Sequence, residues 1–287
     1  MIPKIIHYVW VGGNPLTPLA EKCIESWKKF CPDYEIKRWD ESNFDISQNV
    51  FCKEAYESKK WAFVSDYIRL KVLYEFGGIY MDTDVEVVKP LDNFLNHPAF
   101  SGFEATMKIP TGIIAAEKAN KWIKLMLDYY NDRHFIHEDG SLDLVPNVLF
   151  MTDLTIKNYA IKMNNKYQDL TDIVFYPNDY FCPFLENGEA FSTENTYTIH
   201  HFASSWLPKK YLKKKARKQK IKGFFKGVLR FFVGQKNFEK IQQKRREKSR
   251  KKLFERNYEK EYEKLGENDE WYKNIHIDAN LQWLSNY

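Results

Sequence analysis

Two aspartates, Asp82 and Asp84, stand one residue apart at the end of the run Glu75-Phe-Gly-Gly-Ile-Tyr-Met-Asp-Thr-Asp84. On an extended backbone, residues i and i+2 project to the same side, so the two carboxylates face one point. Such a pair of hard oxygen ligands suits Mg²⁺ or Mn²⁺, which are commonly held by one or two carboxylates together with substrate phosphates. A cation there neutralises charge on a departing diphosphate. An Asp-X-Asp also occurs in ordinary surface turns, so its neighbours have to decide.

Just upstream, Trp61 to Glu75 places Val64, Ile68 and Val72 at helical spacing, and Gly77-Gly78 supplies a stop signal. Asp66 and Arg69 lie three apart and share a face. An isolated pair of this kind reads as a surface ion pair. Here it sits in an apolar, aromatic helix that feeds a glycine turn and the carboxylate pair. A carboxylate beside a guanidinium offers the acceptors and donors that a sugar hydroxyl needs.

Ser65-Asp66-Tyr67-Ile68-Arg69 followed by Gly77-Gly78-Ile79-Tyr80-Met81-Asp82-Thr83-Asp84 resembles the DXD glycosyltransferases of family 32. These include bacterial capsule and lipopolysaccharide sugar transferases, the yeast initiating mannosyltransferase and, with a shared core, the clostridial glucosylating toxins. The opening segment from Ile2 to Gly13 and the segment Thr198-Ile-His-His-Phe-Ala-Ser-Ser-Trp206 are similar to the family's first strand and its closing motif. The likeness covers roughly residues 1–207.

The resemblance implies an α/β fold of the GT-A type: a single mixed nucleotide-sugar-binding sheet flanked by helices. It implies transfer, with retention of anomeric configuration, from a nucleoside-diphosphate sugar, most simply UDP-linked, to a glycan or polyprenyl-linked acceptor. Asp66, Arg69, Asp82 and Asp84 become the catalytic group. Trp10 becomes a stacking surface for the donor base, although its position at a strand end also fits core packing. Gly12 and Gly13 allow close backbone approach to the donor. His200 becomes a third metal ligand beside Asp82 and Asp84, the alternatives being contact with a donor phosphate or a core histidine. Adjacent His200 and His201 point to opposite faces of a strand, so one of them at most reaches a given site. Ser205 and Trp206 become part of a loop that closes over the diphosphate.

Glu104, after the predicted strand Phe100–Phe103, reads either as a wall of the acceptor site or as a solvated strand end. Asn147 and Asp153, after the turn at Pro146, are weaker acceptor-side candidates. No base is assigned, since in a front-face mechanism the departing phosphate itself takes the acceptor proton.

Placing these residues takes alternating strands and helices, which indicate an α/β layered fold. Strands are predicted over Lys4–Trp10, Tyr34–Trp39, Ile79–Met81, Phe100–Phe103, Gly112–Ala116, Ile173–Tyr176 and Tyr197–Phe202. Helices are predicted over Pro18–Phe30, with Thr17 as cap, over Trp61–Phe76 and Lys118–Tyr130, and between Asn147 and Lys162.

The chain of 287 residues can bury a full core. Two parts are expected: a catalytic domain over 1–207 and a basic helical extension over 208–287. With the N-terminus running directly into a strand, and no apolar run near the roughly 18 residues of a membrane span, we expect no export signal and no span. Cys23, Cys31, Cys52 and Cys182 have no paired spacing and read as reduced thiols. The net charge of +5 hides a division. Residues 209–256 carry 21 Lys and Arg against 3 Asp and Glu, a net of +18, while the remainder carries 23 against 36. The basic stretch interleaves Phe224, Phe225, Phe231 and Phe232 with cations, the composition of a helix lying on an anionic membrane. The enzyme is therefore expected in the cytoplasm, peripheral at the inner face of the cell membrane, working on capsule or surface polysaccharide. The competing reading is a nucleic-acid-binding protein or metal-dependent nuclease recruited by the same stretch. The apolar neighbours of the Phe pairs favour lipid over nucleic acid.

Overall fold

The computed structural model describes residues 1–104, 108–183, 191–203 and 234. The basic extension, Ser205 and Trp206 lie outside the described residues.

The chain opens with β1 (Ile5–Val9), almost wholly buried, and the helix α1 (Pro18–Phe30). Thr17 caps α1 by accepting the Ala20 N–H, and a proline occupies the first turn, where no donor is missed. β2 (Glu35–Trp39) returns parallel to β1. A helix that the sequence reading did not identify follows, α2 (Val50–Glu57), capped by Asn49. The helix α3 (Trp61–Phe76) buries Phe63, Val64, Ile68, Leu70, Val72 and Leu73 around its circumference. A helix apolar on all sides belongs inside a protein, and the burial of Asp66 and Arg69 follows from that.

α3 ends at Gly77, and β3 (Gly78–Met81) runs parallel to β1. The turn is glycine-only for a steric reason. Gly78 has φ of 104°, and a Cβ there would stand 2.7 Å from the Ile5 carbonyl and 2.8 Å from His7 Nε2. His7, fully buried, bonds to the Gly77 carbonyl through Nε2 at 2.7 Å and to the Trp39 indole N–H through Nδ1 at 3.0 Å. The two partners together fix a neutral ring with its proton on Nε2.

The remaining elements are β4 (Val85–Val87), β5 (Ala99–Gly102), β6 (Ile113–Ala116), α4 (Lys121–Asp128), α5 (Asn147–Asn158), β7 (Gln168–Asp169), β8 (Val174–Tyr176), α6 (Asn178–Phe181) and β9 (Thr198–His200). α4 starts three residues later than the sequence suggests. Ala119 takes a positive φ of 59°, and the Asn120 side chain then caps the helix by accepting the Ile123 N–H. The four cysteines are free and buried.

Seven strands form one mixed sheet in the order β2-β1-β3-β6-β5-β8-β7. This is the single mixed sheet with flanking helices that the sequence predicts. β1, β2 and β3 are parallel, and β6 runs against β3. The carboxyl ends of β1, β2 and β3 therefore share one edge with the start of β6. That edge carries the Trp10–Gly13 loop, Asp40-Glu41, the Asp82–Asp84 turn and Thr111-Gly112. Loops beyond strand carboxyl ends are where open α/β sheets bind ligands.

Candidate active site

Asp82 leaves β3 with its N–H donated to the Gly112 carbonyl at 2.8 Å. Asp84 follows the turn and leads directly into β4, which pairs antiparallel with β9 in a separate two-stranded sheet. The register sets Val85 opposite His200, so the last strand delivers the imidazole beside the aspartates. His200 Nε2 lies 3.2 Å from Asp84 Oδ1, and the Ala203 N–H donates to Asp84 Oδ2 at 2.7 Å. One atom from each of Asp82, Asp84 and His200 can be chosen so that all lie within 4.8 Å of one another. Two carboxylate oxygens suit Mn²⁺ or Mg²⁺, and an imidazole nitrogen beside them favours a first-row transition ion such as Mn²⁺ over the harder Mg²⁺. Burial favours the neutral form of Asp84, but the His200 imidazole and the Ala203 N–H outweigh it and hold the carboxyl down to about 2. His200 is raised well above the ordinary range: burial opposes its charge, and the Asp84 carboxylate and the Cys182 thiol prevail. His201 turns to the other side and meets Glu86 at 2.8 Å, as opposite faces of a strand require.

Asp66 and Arg69 sit one helix turn apart on α3, both buried. Arg69 Nη2 meets Asp66 Oδ1 at 2.8 Å, and Nη1 meets Asp82 Oδ1 at 3.3 Å. The guanidinium also donates to the Thr111 carbonyl at 2.7 Å and lies over the Tyr80 ring at 4.6 Å. Tyr80 in turn donates its hydroxyl to Asp82 Oδ1 at 3.0 Å. Burial works against the Arg69 charge, yet Asp82, Tyr80 and Asp66 raise its pKa overall. For Asp66, burial wins over the pull of Arg69 and lifts the carboxyl to about 7.

The site thus joins Asp66, Arg69, Asp82, Asp84 and His200. It also takes in Asn147, whose Nδ2 donates to Asp66 Oδ1 at 2.7 Å and whose Oδ1 accepts the Thr111 hydroxyl at 3.1 Å. Asn147 is therefore a direct partner of the α3 pair. Asp153 is on a different face of α5, ion-paired to Lys157 at 3.0 Å. Glu104 is half-buried just past β5, on the same sheet edge, with its N–H on the Lys108 carbonyl.

Gly12 and Gly13 lie beside Trp61, the first residue of α3. A cleft of about 680 Å³ is lined there by Gly12, Gly13, Asn14, Glu41, Tyr56, Lys59 and Trp61. Gly12 and Gly13 have φ of 89° and 68°, and a Cβ on Gly12 would strike the Trp61 indole at 2.6 Å. Glu41 holds the loop by accepting the Gly12 N–H, at 2.6 Å, and the Tyr56 hydroxyl, at 3.1 Å. Half-buried Trp10 donates its indole N–H to the Asn14 carbonyl at 2.7 Å. Trp61 and Arg69 are eight residues apart on one helix, about 12 Å along its axis. Glu41, Tyr56, Trp61, Tyr80 and Thr111 were not singled out from the sequence. Only Tyr80 and Trp61 stand within the motif segments that drew attention to the region.

Residues 18–101 match a protein-family model described as a glycosyltransferase sugar-binding region containing a DXD motif. The matched segment is similar to that region. It spans Asp66, Arg69, Asp82 and Asp84, while Trp10 and His200 flank it. The chain is 30% identical over 129 residues to inositol phosphoceramide mannosyltransferase 3 of Schizosaccharomyces pombe, which covers 42% of this chain and 35% of the relative. The chain thus spans about a third of that relative's length. It is 24% identical over 217 residues to an uncharacterised glycosyltransferase of Acanthamoeba polyphaga mimivirus, covering 72% of this chain and 85% of the relative. Among solved structures, the PaToxG glycosyltransferase aligns with a TM-score of 0.42 and 22% identity, over 54% of this chain and 68% of that one.

Proposed function

We propose that this protein is a metal-dependent, retaining glycosyltransferase of family 32, moving a sugar from a nucleoside-diphosphate donor, UDP-linked in the simplest case, to a glycan or lipid-linked glycan. The convergence of Asp82, Asp84 and His200 within 4.8 Å, with Arg69 of the buried Asp66–Arg69 pair in direct contact with Asp82, carries this reading. Asp82, Asp84 and His200 hold Mn²⁺ or Mg²⁺. When bound, that cation offsets the negative charge developing on the leaving diphosphate. Arg69, itself held by Ser65, Thr111 and Asp66, fixes Asp82 and keeps a rigid polar surface at the sugar side. The donor base is assigned to the cleft of Gly12, Gly13 and Trp61, where Trp10 is joined to the wall only through its indole bond to Asn14. Because Asp66 and Arg69 are already paired, they orient the sugar without reorganising, and such preorganisation lowers barriers. The acceptor hydroxyl gives its proton to the departing phosphate.

A relative whose name specifies inositol phosphoceramide supports a lipid-borne acceptor. With residues 209–256 resting on anionic lipid, the enzyme works at the cytoplasmic face of a membrane, in the synthesis of capsule or related surface glycans. The test is incubation with a panel of sugar nucleotides, with and without Mn²⁺, scoring free nucleoside diphosphate and the anomeric configuration of the product. Absence of turnover on every donor in the presence of Mn²⁺ and a lipid-linked acceptor would overturn the reading.

A further inference from the structure

Gly112 lies where β6 begins, between two of the residues that the proposed function makes metal ligands. Its carbonyl accepts the Asp82 N–H at 2.8 Å. On its other side lies the imidazole of His200. A Cβ built on Gly112 would meet His200 Nδ1 at 2.7 Å, Cε1 at 2.8 Å and Cγ at 3.4 Å, and these are its three nearest neighbours. Real Cβ atoms do not approach other atoms so closely, so an alanine there displaces either the ring or the strand. The Gly112 φ is outside the left-handed region, so alanine meets no backbone penalty, and the ring alone opposes it. A second ring completes the seat: Phe202 stacks on His200 with centroids 4.0 Å apart and an interplanar angle of 20°. Nε2 is thereby left facing Asp84.

We propose that Gly112 is a positioning residue for the metal centre, its bare Cα forming the floor on which the His200 ring lies so that Nε2 points at the site shared with Asp82 and Asp84. The inference rests on the reading of His200 as a ligand. Because Gly112 also receives the Asp82 N–H, one backbone residue sets the relative placement of a ligand from β3 and a ligand from β9. Groups that orient metal ligands commonly govern affinity as strongly as lesser ligands do.

The experiment compares Gly112→Ala, His200→Ala and the double variant in the full chain by Mn²⁺ titration calorimetry, with thermal unfolding of each metal-free protein. Gly112→Ala is expected to weaken Mn²⁺ binding about tenfold or more, the range seen when outer-shell partners are removed. His200→Ala is expected to weaken it comparably, and the double variant no further than the worse single one, since both changes remove the same ligand. If His200→Ala leaves Mn²⁺ affinity unchanged, the ligand reading of His200 fails, and the inference with it. If His200→Ala weakens binding while Gly112→Ala does not, or if the two losses add, the inference alone fails. Should Gly112→Ala fail to fold, truncating the ring in the double variant is expected to restore folding. A double variant that stays unfolded places the clash elsewhere and overturns the proposal.

Discussion

Arg69 Nη1 stands 3.3 Å from Asp82 Oδ1, and this contact links the helix pair to the carboxylate pair. The same carboxylate oxygen receives the Tyr80 hydroxyl, and the same guanidinium nitrogen donates to the Thr111 carbonyl. Asp82 is therefore oriented by its protein contacts alone, and Asp66, Arg69, Tyr80 and Asp82 form one connected unit.

Asp82→Asn and Asp84→Asn each remove a charge from the site while preserving shape. In protein that remains folded, nucleoside-diphosphate release is expected to fall about 100-fold or more, while loss of the Asp82–Arg69 or Asp84–His200 pair lowers the unfolding temperature. A folded double variant that keeps a tenth of wild-type turnover would contradict the metal assignment.

Arg69→Met leaves buried Asp66 without the cation that pairs with it and removes one side-chain partner of Asp82. Breaking a buried ion pair from one side costs roughly 3 kcal/mol. Urea denaturation should register that loss. In the protein that remains folded, sugar transfer is expected to suffer more than nucleoside-diphosphate affinity, measured by calorimetry. An equal loss in both would move Arg69 from the sugar to the phosphates.

His7 predicts an acid-sensitive fold. Burial lowers its pKa from 6.5 to about 4, against the help of the Gly77 carbonyl. In the unfolded chain the ring takes a proton below 6.5, while in the folded protein it resists down to about 4. Its share of stability is thus complete above pH 6.5 and declines as pH falls through that window. The expected loss is about 1.4 kcal/mol per pH unit, or roughly 3 kcal/mol in all. Protonation at Nδ1 also ejects the Trp39 N–H from its acceptor. Urea titrations at pH 7, 5.5 and 4.5 on wild type and His7→Gln check this, since the variant should show a shallower decline. Parallel curves would remove His7 as the cause.

For residues 209–256, whose net charge is +18, the expected outcome is sedimentation with anionic vesicles at low salt. Added salt weakens the polybasic share, worth about 1 kcal/mol per cation near the surface. Replacing Phe224, Phe225, Phe231 and Phe232 together by Ser should weaken what salt leaves. Retardation of RNA or DNA in a gel, with no vesicle binding, would favour a nucleic-acid partner instead.

The sequence conveyed α3, the glycine turn and the Asp82–Asp84 pair because each is a local pattern of side chains, and it conveyed the sheet through short apolar runs. It did not convey what happens between distant segments. β4 is a three-residue strand, too brief for alternation to stand out, and its register with β9, which lies within the predicted strand Tyr197–Phe202, brings Asp84 to His200. Thr111 and Gly112 each contribute a carbonyl, which every residue type possesses, so composition is silent about them. Asn147 was read from its place after a proline, whereas its side chain reaches 81 positions back to Asp66. α2 escaped because its apolar positions, Phe51, Cys52 and Ala55, make only a short stripe over two turns.

The pairing of β4 with β9 also governs when the centre can come into being. Asp84 and the Ala203 N–H that anchors it are 119 positions apart in the chain. At ordinary rates of protein synthesis that interval is on the order of ten seconds, during which Asp84 has left the ribosome and its later partners have not been made. Asp82 is already provided for, since Arg69 and Tyr80 precede it and lie beside it in the fold. The nascent chain can thus settle its first three parallel strands around Asp82 and wait for β9 to bring Asp84 its partners.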